Sequence, residues 1–194
     1  THHSIHDFAV MRCINNMTIV APADNFETSE VIKQAVNYNH PLYIRYGKKP
    51  MLDIHSNKTQ FQIGKAIIIE EGEDVALIAT GETVQRAFLA SQILKENNIN
   101  STIVSMHTIK PFDSETFLKI AKKSKVIVSI EEHSEFGGLG EQCASLLAQN
   151  QININFKIIG IPDEYMVNGS QSDVLDHYNM SPEKIAKITK SLID

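Results

Sequence analysis

The feature that most constrains this chain is a series of continuous apolar runs separated by segments of helical periodicity. Five such runs follow residue 64, over 66–69, 75–80, 102–106, 126–130 and 156–161. Most are unbroken Val, Ile, Leu and Ala rather than alternating, as expected when helices cover both faces of a sheet. Strands alternating with helices favour parallel pairing. We therefore expect an α/β fold, a three-layer α/β/α sandwich around a mostly parallel five-stranded sheet.

Residues 1–50 carry a shorter α/β pattern of their own. It predicts a helix over 4–14, a strand over 17–21, a second helix from 24 onward and a second strand over 42–46. Ser4 is the predicted N-cap of the first helix. Asp24 and Glu27 have the capping-box spacing that begins the second. We expect this stretch to be part of a second α/β domain.

Between the two patterns, residues 47–63 contain Gly, Lys, Pro, Asn and Ser without periodicity, which is typical of a linker. The sequence thus predicts three units, over 1–50, 51–63 and 64–194. Within the last unit, Asp113 is a predicted helix cap and Ser181-Pro182 a second helix start.

Composition excludes several classes of protein. A net charge of −5 argues against binding to a nucleic-acid backbone, and no apolar run approaches the ~20 residues that span a bilayer. Cys13 and Cys143 lack metal-ligand or redox-motif spacing, so we expect reduced thiols, no metal site and a cytoplasmic location. With neither an initiator Met nor a signal-peptide pattern, the N-terminus is expected to be a cut through a longer polypeptide.

A glycine-rich turn, Gly137-Gly138-Leu139-Gly140, follows the fourth predicted strand and precedes a helix. Glycines at a helix N-terminus let an anion approach unpaired N–H groups. The turn has no third glycine at the spacing of a dinucleotide-binding fingerprint, and it lacks the Lys of a P-loop. A dinucleotide site also needs an acidic residue ~20 positions further on, but that position lies in the apolar predicted strand around Ile158. Two interpretations stay open: a tight turn with close helix packing, or an anion site.

Glu131, Glu132 and His133 come at the end of the same predicted strand, where open α/β sheets place ligands. Carboxylates beside an imidazole suit acid–base chemistry. They are also consistent with a solvated strand end or a subunit contact. The acidic turn Asp163-Glu164 has the same two interpretations.

Arg45 ends the strand over 42–46 and is followed by Lys48 and Lys49, a basic cluster on an acidic chain. A guanidinium meets phosphate oxygens bidentately, so the cluster suits a sugar phosphate, although a solvated basic loop would have the same sequence. His2 and His3 can donate to a substrate hydroxyl or transfer a proton near neutral pH. The other singled-out histidines are expected to be structural or surface residues: His55, His107 and His177.

Several blocks, taken in order, resemble the transketolase family. The family has a DGPTHH-type segment, a helix, a PNM turn, and a strand ending in PAD. The matching residues here are Thr1-His2-His3-Ser4, 7–12, Asn16-Met17 and Ala21-Pro22-Ala23-Asp24. The likeness continues through 42–47, Gly64-Lys65-Ala66, Ala79-Thr80-Gly81, 106–111, 131–133 and 137–140, and so covers nearly the whole chain. Asn15 stands where the family usually has proline.

The resemblance implies that 1–50 ends a pyrimidine-binding domain and that 64–194 is a transketolase C-terminal domain. It implies a thiamine-diphosphate- and Mg²⁺-dependent transferase of carbohydrate metabolism that moves a two-carbon ketol unit from a ketose phosphate to an aldose phosphate, as in the pentose phosphate reactions. His2 matches the family's catalytic, substrate-binding histidine. Arg45 matches an arginine that holds the sugar phosphate.

The family's activating glutamate lies upstream of the histidine motif, and its GDG metal-binding motif belongs to the other half of the enzyme. Neither occurs in this sequence. We therefore expect the chain alone to be inactive and to bind neither cofactor tightly. The expected partners are the N-terminal half and a second copy, in a homodimer through the C-terminal domain. Alternatives are the related deoxyxylulose-phosphate synthase, a non-catalytic assembly domain and, from the glycine turn alone, a dinucleotide-binding module.

Overall fold

The computed structural model describes residues 4–47, 51–56 and 59–193. Within these ranges the helices are α1 (Asp7–Arg12), α2 (Asn25–Ala35), α3 (Thr83–Glu96), α4 (Ser114–Ala121), α5 (Leu139–Gln149), α6 (Gln171–His177) and α7 (Pro182–Lys190). The strands are β1 (Thr18–Val20), β2 (Leu42–Ile44), β3 (Ile67–Glu70), β4 (Val75–Ala79), β5 (Ser101–Ser105), β6 (Thr108–Lys110), β7 (Val126–Ser134) and β8 (Asn155–Ile161).

The main sheet has five strands in the order β3-β5-β4-β7-β8. Strands β5, β4, β7 and β8 are parallel, and β3 pairs antiparallel with β5 at the edge. Every residue of β4 and β5 is buried, and burial on both faces explains why β4 is a continuous apolar run rather than an alternating one. The predicted mostly parallel five-stranded sheet is confirmed.

Successive residues of β4 point to opposite faces and so join different cores. On one face, Val75 and Leu77 pack with residues of α3, α6 and α7. On the other, Ala76 and Ile78 pack with residues of α1, α4 and α5. Helices therefore cover both faces of the sheet, and the predicted three-layer sandwich is confirmed.

A second, three-stranded sheet joins residues 1–50 to the later part of the chain. Its order is β2-β1-β6, with β1 and β2 parallel and β6 antiparallel to β1. Phe8 and Ile19 share one buried cluster with Ile78 and Ile127, so the two parts have a common core. A common core does not locate a domain boundary, and the division into 1–50, 51–63 and 64–194 stays a prediction.

Side-chain caps confirm three predicted helix starts. Asp24 accepts a hydrogen bond from the Glu27 amide at 2.9 Å, and Asp113 and Ser181 cap α4 and α7 in the same way. The prediction for Ser4 is wrong. Helix α1 begins at Asp7, and the side chain of its N-cap residue makes no capping hydrogen bond.

The segment predicted as a linker is tied to α2 by its own residues. The amide of Ile54 donates to Asp24 Oδ2 at 3.1 Å, and His55 Nδ1 lies 2.6 Å from the same oxygen. Further on, the Gln34 side chain donates to the carbonyl of Phe61 at 2.8 Å. The absence of periodicity therefore does not mean the absence of contacts.

No helix in the described ranges combines the length and apolar character needed to cross a membrane.

Candidate functional site

Strand β7 runs four residues further than predicted, so Glu131, Glu132 and His133 lie within it rather than after it. Side chains alternate along a strand. Glu131 and His133 face α5 and α1, whereas Glu132 faces α6, where the Gln171 side chain donates to it at 2.9 Å. The two carboxylates are therefore on opposite sides of the sheet. Glu131 Oε2 lies 3.8 Å from His133 Nδ1, but Glu132 lies apart from both, so the three do not form the group of two carboxylates and an imidazole that the sequence suggested.

Glu131 occupies the N-terminus of α5. Its fully buried carboxylate accepts hydrogen bonds from the amides of Leu139 at 2.7 Å and Gly140 at 2.8 Å. Burial raises the pKa of Glu131 to about 7, although these two hydrogen bonds oppose the rise. The N–H groups that an external anion would need are thus already bonded to a carboxylate of the chain itself.

The glycines of this turn allow close packing. Gly137 has φ +76°, and a Cβ there would lie 2.4 Å from Cβ of Ala9. A Cβ on Gly140 would lie 2.6 Å from Cγ2 of Ile158. Of the two interpretations of the turn, the structure supports the tight turn with close helix packing.

His133 is fully buried between β7 and α1. Its Nδ1 lies 2.8 Å from the carbonyl oxygen of Ser134, so it carries the proton and donates, while Nε2 accepts from the amide of Ala9 at 3.3 Å. Its ring stacks on Phe8 with centroids 5.0 Å apart. Burial lowers the pKa of His133, which favours the neutral ring that both hydrogen bonds require.

Arg45 lies just after β2, with its guanidinium carbon 4.9 Å from the centre of the Phe8 ring. It donates to the carbonyl of Ser4 at 3.1 Å. Carboxylate oxygens of Asp7 and Glu132 lie 3.6 Å and 3.8 Å from its nitrogens. The side chain is 17% exposed, so it is held in place yet still reached by solvent.

Arg45 lines a small depression where residues 4–47 meet β7 and the start of α3. Its other lining residues are Phe8, Ala21, Tyr46, Gly47, Thr80, Gly81, Glu82 and Glu132. Oγ1 of Thr80 is buried there without a hydrogen-bond partner in the described part of the chain. The guanidinium of Arg45 and the carboxylate of Glu132 can together bind an oxyanion and the hydroxyls beside it.

The structure brings only some of the predicted site residues together. Arg45 and Glu132 meet, although 87 positions separate them in the sequence. His2, His3, Lys48 and Lys49 lie outside the described residues. The acidic turn Asp163-Glu164 follows β8 as a mostly exposed loop.

Sequence reasoning missed the supports of Arg45. Tyr43 donates to Asp7 at 2.9 Å and so orients that carboxylate beside the guanidinium. Tyr43 and Arg45 are two positions apart at the end of one strand and so share a face, and this spacing was the sequence signal for their association.

The described residues contain no group of three His, Cys, Asp or Glu side chains that could hold a metal ion.

Comparison with known protein families gives two matches. Residues 1–51 match the model described as the transketolase pyrimidine binding domain. Residues 64–185 match the model described as the transketolase C-terminal domain. The second match alone covers more than half of the chain.

Curated relatives match over almost the whole chain. The chain is 40% identical over 188 residues to one subunit of the apulose-4-phosphate transketolase of Phocaeicola vulgatus, covering 96% of this chain and 60% of that protein. It is 42% identical over 190 residues to a putative transketolase C-terminal section of Methanocaldococcus jannaschii, covering 96% and 59%. The chain thus spans about 60% of the length of these relatives.

Two further similarities concern a synthase and a solved structure. A 1-deoxy-D-xylulose-5-phosphate synthase of Dehalococcoides mccartyi is 37% identical over 197 residues, covering 100% of this chain and 31% of that protein. A structure described as a split gene transketolase, inactive beta4 tetramer, superposes with a TM-score of 0.88 at 28% identity, covering 98% of this chain and 61% of that one.

Proposed function

The chain belongs to the transketolase family, and from that premise we propose that it is the C-terminal portion of a thiamine-diphosphate-dependent transketolase. The complete enzyme transfers a two-carbon ketol unit from a ketose phosphate to an aldose phosphate. The chain supplies the end of the pyrimidine-binding domain and the C-terminal domain, over 1–50 and 64–194, joined by 51–63. The relatives named as a transketolase subunit and as a transketolase C-terminal section support this assignment.

The observation that carries the proposal is the setting of Arg45. Phe8 covers one face of its guanidinium, the Ser4 carbonyl accepts from one nitrogen, and the side chain lines the depression. A cation fixed in this way loses little side-chain entropy when it binds an oxyanion. We propose that Arg45 binds the phosphate end of the sugar.

His2 is the proposed catalytic residue. Its imidazole would hydrogen-bond to the oxygen at the reacting carbon of the ketose and assist proton transfer there. Thiamine diphosphate, when bound, supplies the carbon nucleophile. The described residues offer no ligand set for Mg²⁺, so no step at the metal is assigned to this chain.

The partners form part of the same proposal. The activating glutamate and the GDG motif would come from the rest of the enzyme, including a separate N-terminal half. A second copy of the chain would bind through 64–194. The similarity to a split gene transketolase structure supports a separate N-terminal partner. A cytoplasmic location, dependence on Mg²⁺ and use in pentose phosphate metabolism complete the proposal.

Calorimetry of Mg²⁺-dependent thiamine diphosphate binding tests the assignment. This chain alone is compared with the assembled enzyme, which contains the remainder of the polypeptide and the N-terminal half. We expect tight binding and ketol transfer only in the assembly. Tight binding by the chain alone would contradict the proposed division of the cofactor site.

A variant of Arg45 tests the phosphate role in the assembled enzyme. Losing a hydrogen bond to a charged group costs about 1.5–3 kcal/mol, so Arg45→Gln should raise the KM for phosphorylated sugars roughly 10- to 100-fold. Unphosphorylated sugars should be affected much less. An equal loss for both kinds of sugar would instead indicate that Arg45 has a structural role.

The second candidate activity is that of the synthase relative, because its similarity extends over the full chain. Direct detection of 1-deoxy-D-xylulose 5-phosphate distinguishes the two. We expect the assembled enzyme to form ketol-transfer products and not this compound.

A further inference from the structure

We propose that Glu132 is a specificity-determining residue of the depression lined by Arg45. Its carboxylate disfavours a bare anion at the guanidinium and favours an anion that carries neighbouring hydroxyls. The inference rests on the proposed phosphate-binding role of Arg45. It gives β7, in the C-terminal part of the chain, a role in the choice of substrate.

Two carboxylates flank the guanidinium of Arg45, and they differ in their exposure. Asp7 Oδ2 lies 3.6 Å from Nε of Arg45, on a side chain that is only 6% exposed, and it accepts a hydrogen bond from the Tyr43 hydroxyl at 2.9 Å. Glu132 Oε2 lies 3.8 Å from Nη2, on a side chain that is 18% exposed and lines the depression. Asp7 is therefore an internal support, whereas Glu132 is the carboxylate that an entering anion would meet.

Glu132 is held in this position from the opposite side. The side-chain amide of Gln171, the first residue of α6, donates to Oε1 of Glu132 at 2.9 Å. The other oxygen, Oε2, is the one nearer to Arg45. The separation of 3.8 Å exceeds the length of a hydrogen bond, so Glu132 acts on Arg45 by charge alone. A substrate can therefore bind at Arg45 without breaking a hydrogen bond between the two side chains.

The charge of the depression opposes the binding of a bare anion. Among the described residues that line it, Arg45 is the one cation, and Glu82 and Glu132 are carboxylates. An oxyanion bound to Nη2 of Arg45 would lie close to Oε2 of Glu132, and like charges at such distances repel one another even in water. The affinity for an anion is thus lower than Arg45 alone would give.

The same carboxylate has the opposite effect on the uncharged part of a sugar, because it accepts hydrogen bonds from hydroxyl groups. Inorganic phosphate would be attracted by Arg45 and repelled by Glu132. A sugar phosphate would meet the same repulsion, but it could compensate by donating a hydroxyl to Glu132. Specificity commonly combines an attractive element with a repulsive one in this way. The expected result is a preference for sugar phosphates over inorganic phosphate.

The test measures inorganic phosphate as an inhibitor of the assembled enzyme, competing with a phosphorylated ketose. Glu132→Gln keeps the size of the side chain and an acceptor for Gln171, but it removes the charge. The inhibition constant of inorganic phosphate should fall at least about fivefold, which is the effect of removing one like charge ~4 Å away in water. The KM of the phosphorylated ketose should fall less, because the acceptor for its hydroxyl is weakened at the same time. Phosphorus NMR of inorganic phosphate provides a readout of binding that does not depend on activity.

Two further variants separate charge from shape. Glu132→Asp keeps the charge but places it one carbon farther from Arg45, so it should tighten phosphate binding by less than Glu132→Gln does. Glu96→Gln is the matched control, because it changes the net charge equally at an exposed position at the end of α3. It should leave both constants unchanged.

Unchanged or weaker binding of inorganic phosphate in Glu132→Gln would overturn the inference. Equal tightening for inorganic phosphate and the phosphorylated ketose would also overturn it, since Glu132 would then not distinguish between them. If Glu132→Gln does not fold, unchanged phosphate binding in Glu132→Asp would have the same meaning. Arg45→Gln tests the premise separately: if it leaves the binding of inorganic phosphate unaltered, then the proposed role of Arg45 fails, whatever the Glu132 variants show.

Discussion

The two helices of residues 1–50 both begin beside a buried histidine side chain, and the surroundings favour the charged form of one histidine and the neutral form of the other. At α2, His55 lies between two carboxylates, with Nδ1 2.6 Å from Asp24 and Nε2 3.1 Å from Glu27. At α1, His133 stacks on Phe8 and accepts a hydrogen bond through Nε2, while the buried carboxylate of Glu131 lies 3.8 Å from its Nδ1. The first arrangement stabilises an imidazolium and the second a neutral ring.

The pKa shifts follow from these surroundings. Although burial alone would lower it, the hydrogen bond with Asp24 and the nearby carboxylate of Glu27 raise the pKa of His55 to about 9. Burial lowers the pKa of His133. The segment 51–63 is therefore held by an ion pair, and α1 by a neutral contact. The contact at α2 should weaken in alkali and the contact at α1 in acid.

The largest expected effect comes from removing the carboxylate at α2. Asp24→Ala removes the helix cap and leaves His55 buried with only one anionic partner. Breaking a buried ion pair from one side costs about 3–5 kcal/mol. The free energy of unfolding in urea at neutral pH should fall by about that amount. Asp24→Asn is the control: it keeps a capping acceptor, so a loss as large as that of Asp24→Ala would assign the effect to charge rather than to the cap.

A smaller effect is expected from pH. The pKa of His55 in the folded chain, about 9, is above its ordinary value of 6.5. Its contribution is thus fully present below pH 6.5 and is lost as pH rises through 9. His55→Gln should remove this alkaline loss of stability, measured by urea unfolding from neutral pH to just above the folded-state pKa. A parent protein whose stability is constant over that range would contradict the ion-pair assignment.

The acid side tests the other histidine. The pKa of His133 in the folded chain is below its ordinary value of 6.5, so its contribution is present above that pH and is lost as pH falls through the folded-state pKa. A protonated Nε2 could no longer accept from Ala9. Exchange of the Ala9 amide, corrected for the intrinsic effect of pH, should therefore speed up in acid in the parent. The corrected rate in His133→Gln should not show this increase.

The same comparison shows how far sequence reasoning reaches. The start of α2 was predictable because Asp24 and Glu27 are three positions apart and act on the same helical turn. The start of α1 was misassigned to Ser4 because its acceptor, His133, comes from a distant strand. Helix caps that are local in sequence can be predicted, and those supplied by tertiary contacts cannot.

The two sheets also differ in how well the sequence predicts them. The five strands of the main sheet were predicted from apolar runs, of which the fully buried β4 is the clearest. Strand β6 was missed, since three residues ending in Lys110 carry no strand signal without β1 beside them. At the site, Arg45 was identified from its strand end and its family match. The contact of Glu132 with Arg45 could be recognised only from the fold, which brings the end of β7 close to the end of β2.

The smallest expected effect concerns the distal end of α1, and it separates local anchoring from general stability. Arg12→Lys keeps the charge but loses the planar fork that reaches both glycine carbonyls and Gln142. We expect a loss of about 1 kcal/mol and faster amide exchange confined to residues 5–12. Arg86→Lys is the matched control, because Arg86 makes comparable bonds to Asp176 and Met180 between α3 and the α6–α7 region.

The control variant should lose similar stability without altering exchange in α1. If both variants loosen α1 equally, then the contact with the turn between β7 and α5 is not what holds that helix, and the contrast between α1 and α2 would rest on His133 alone.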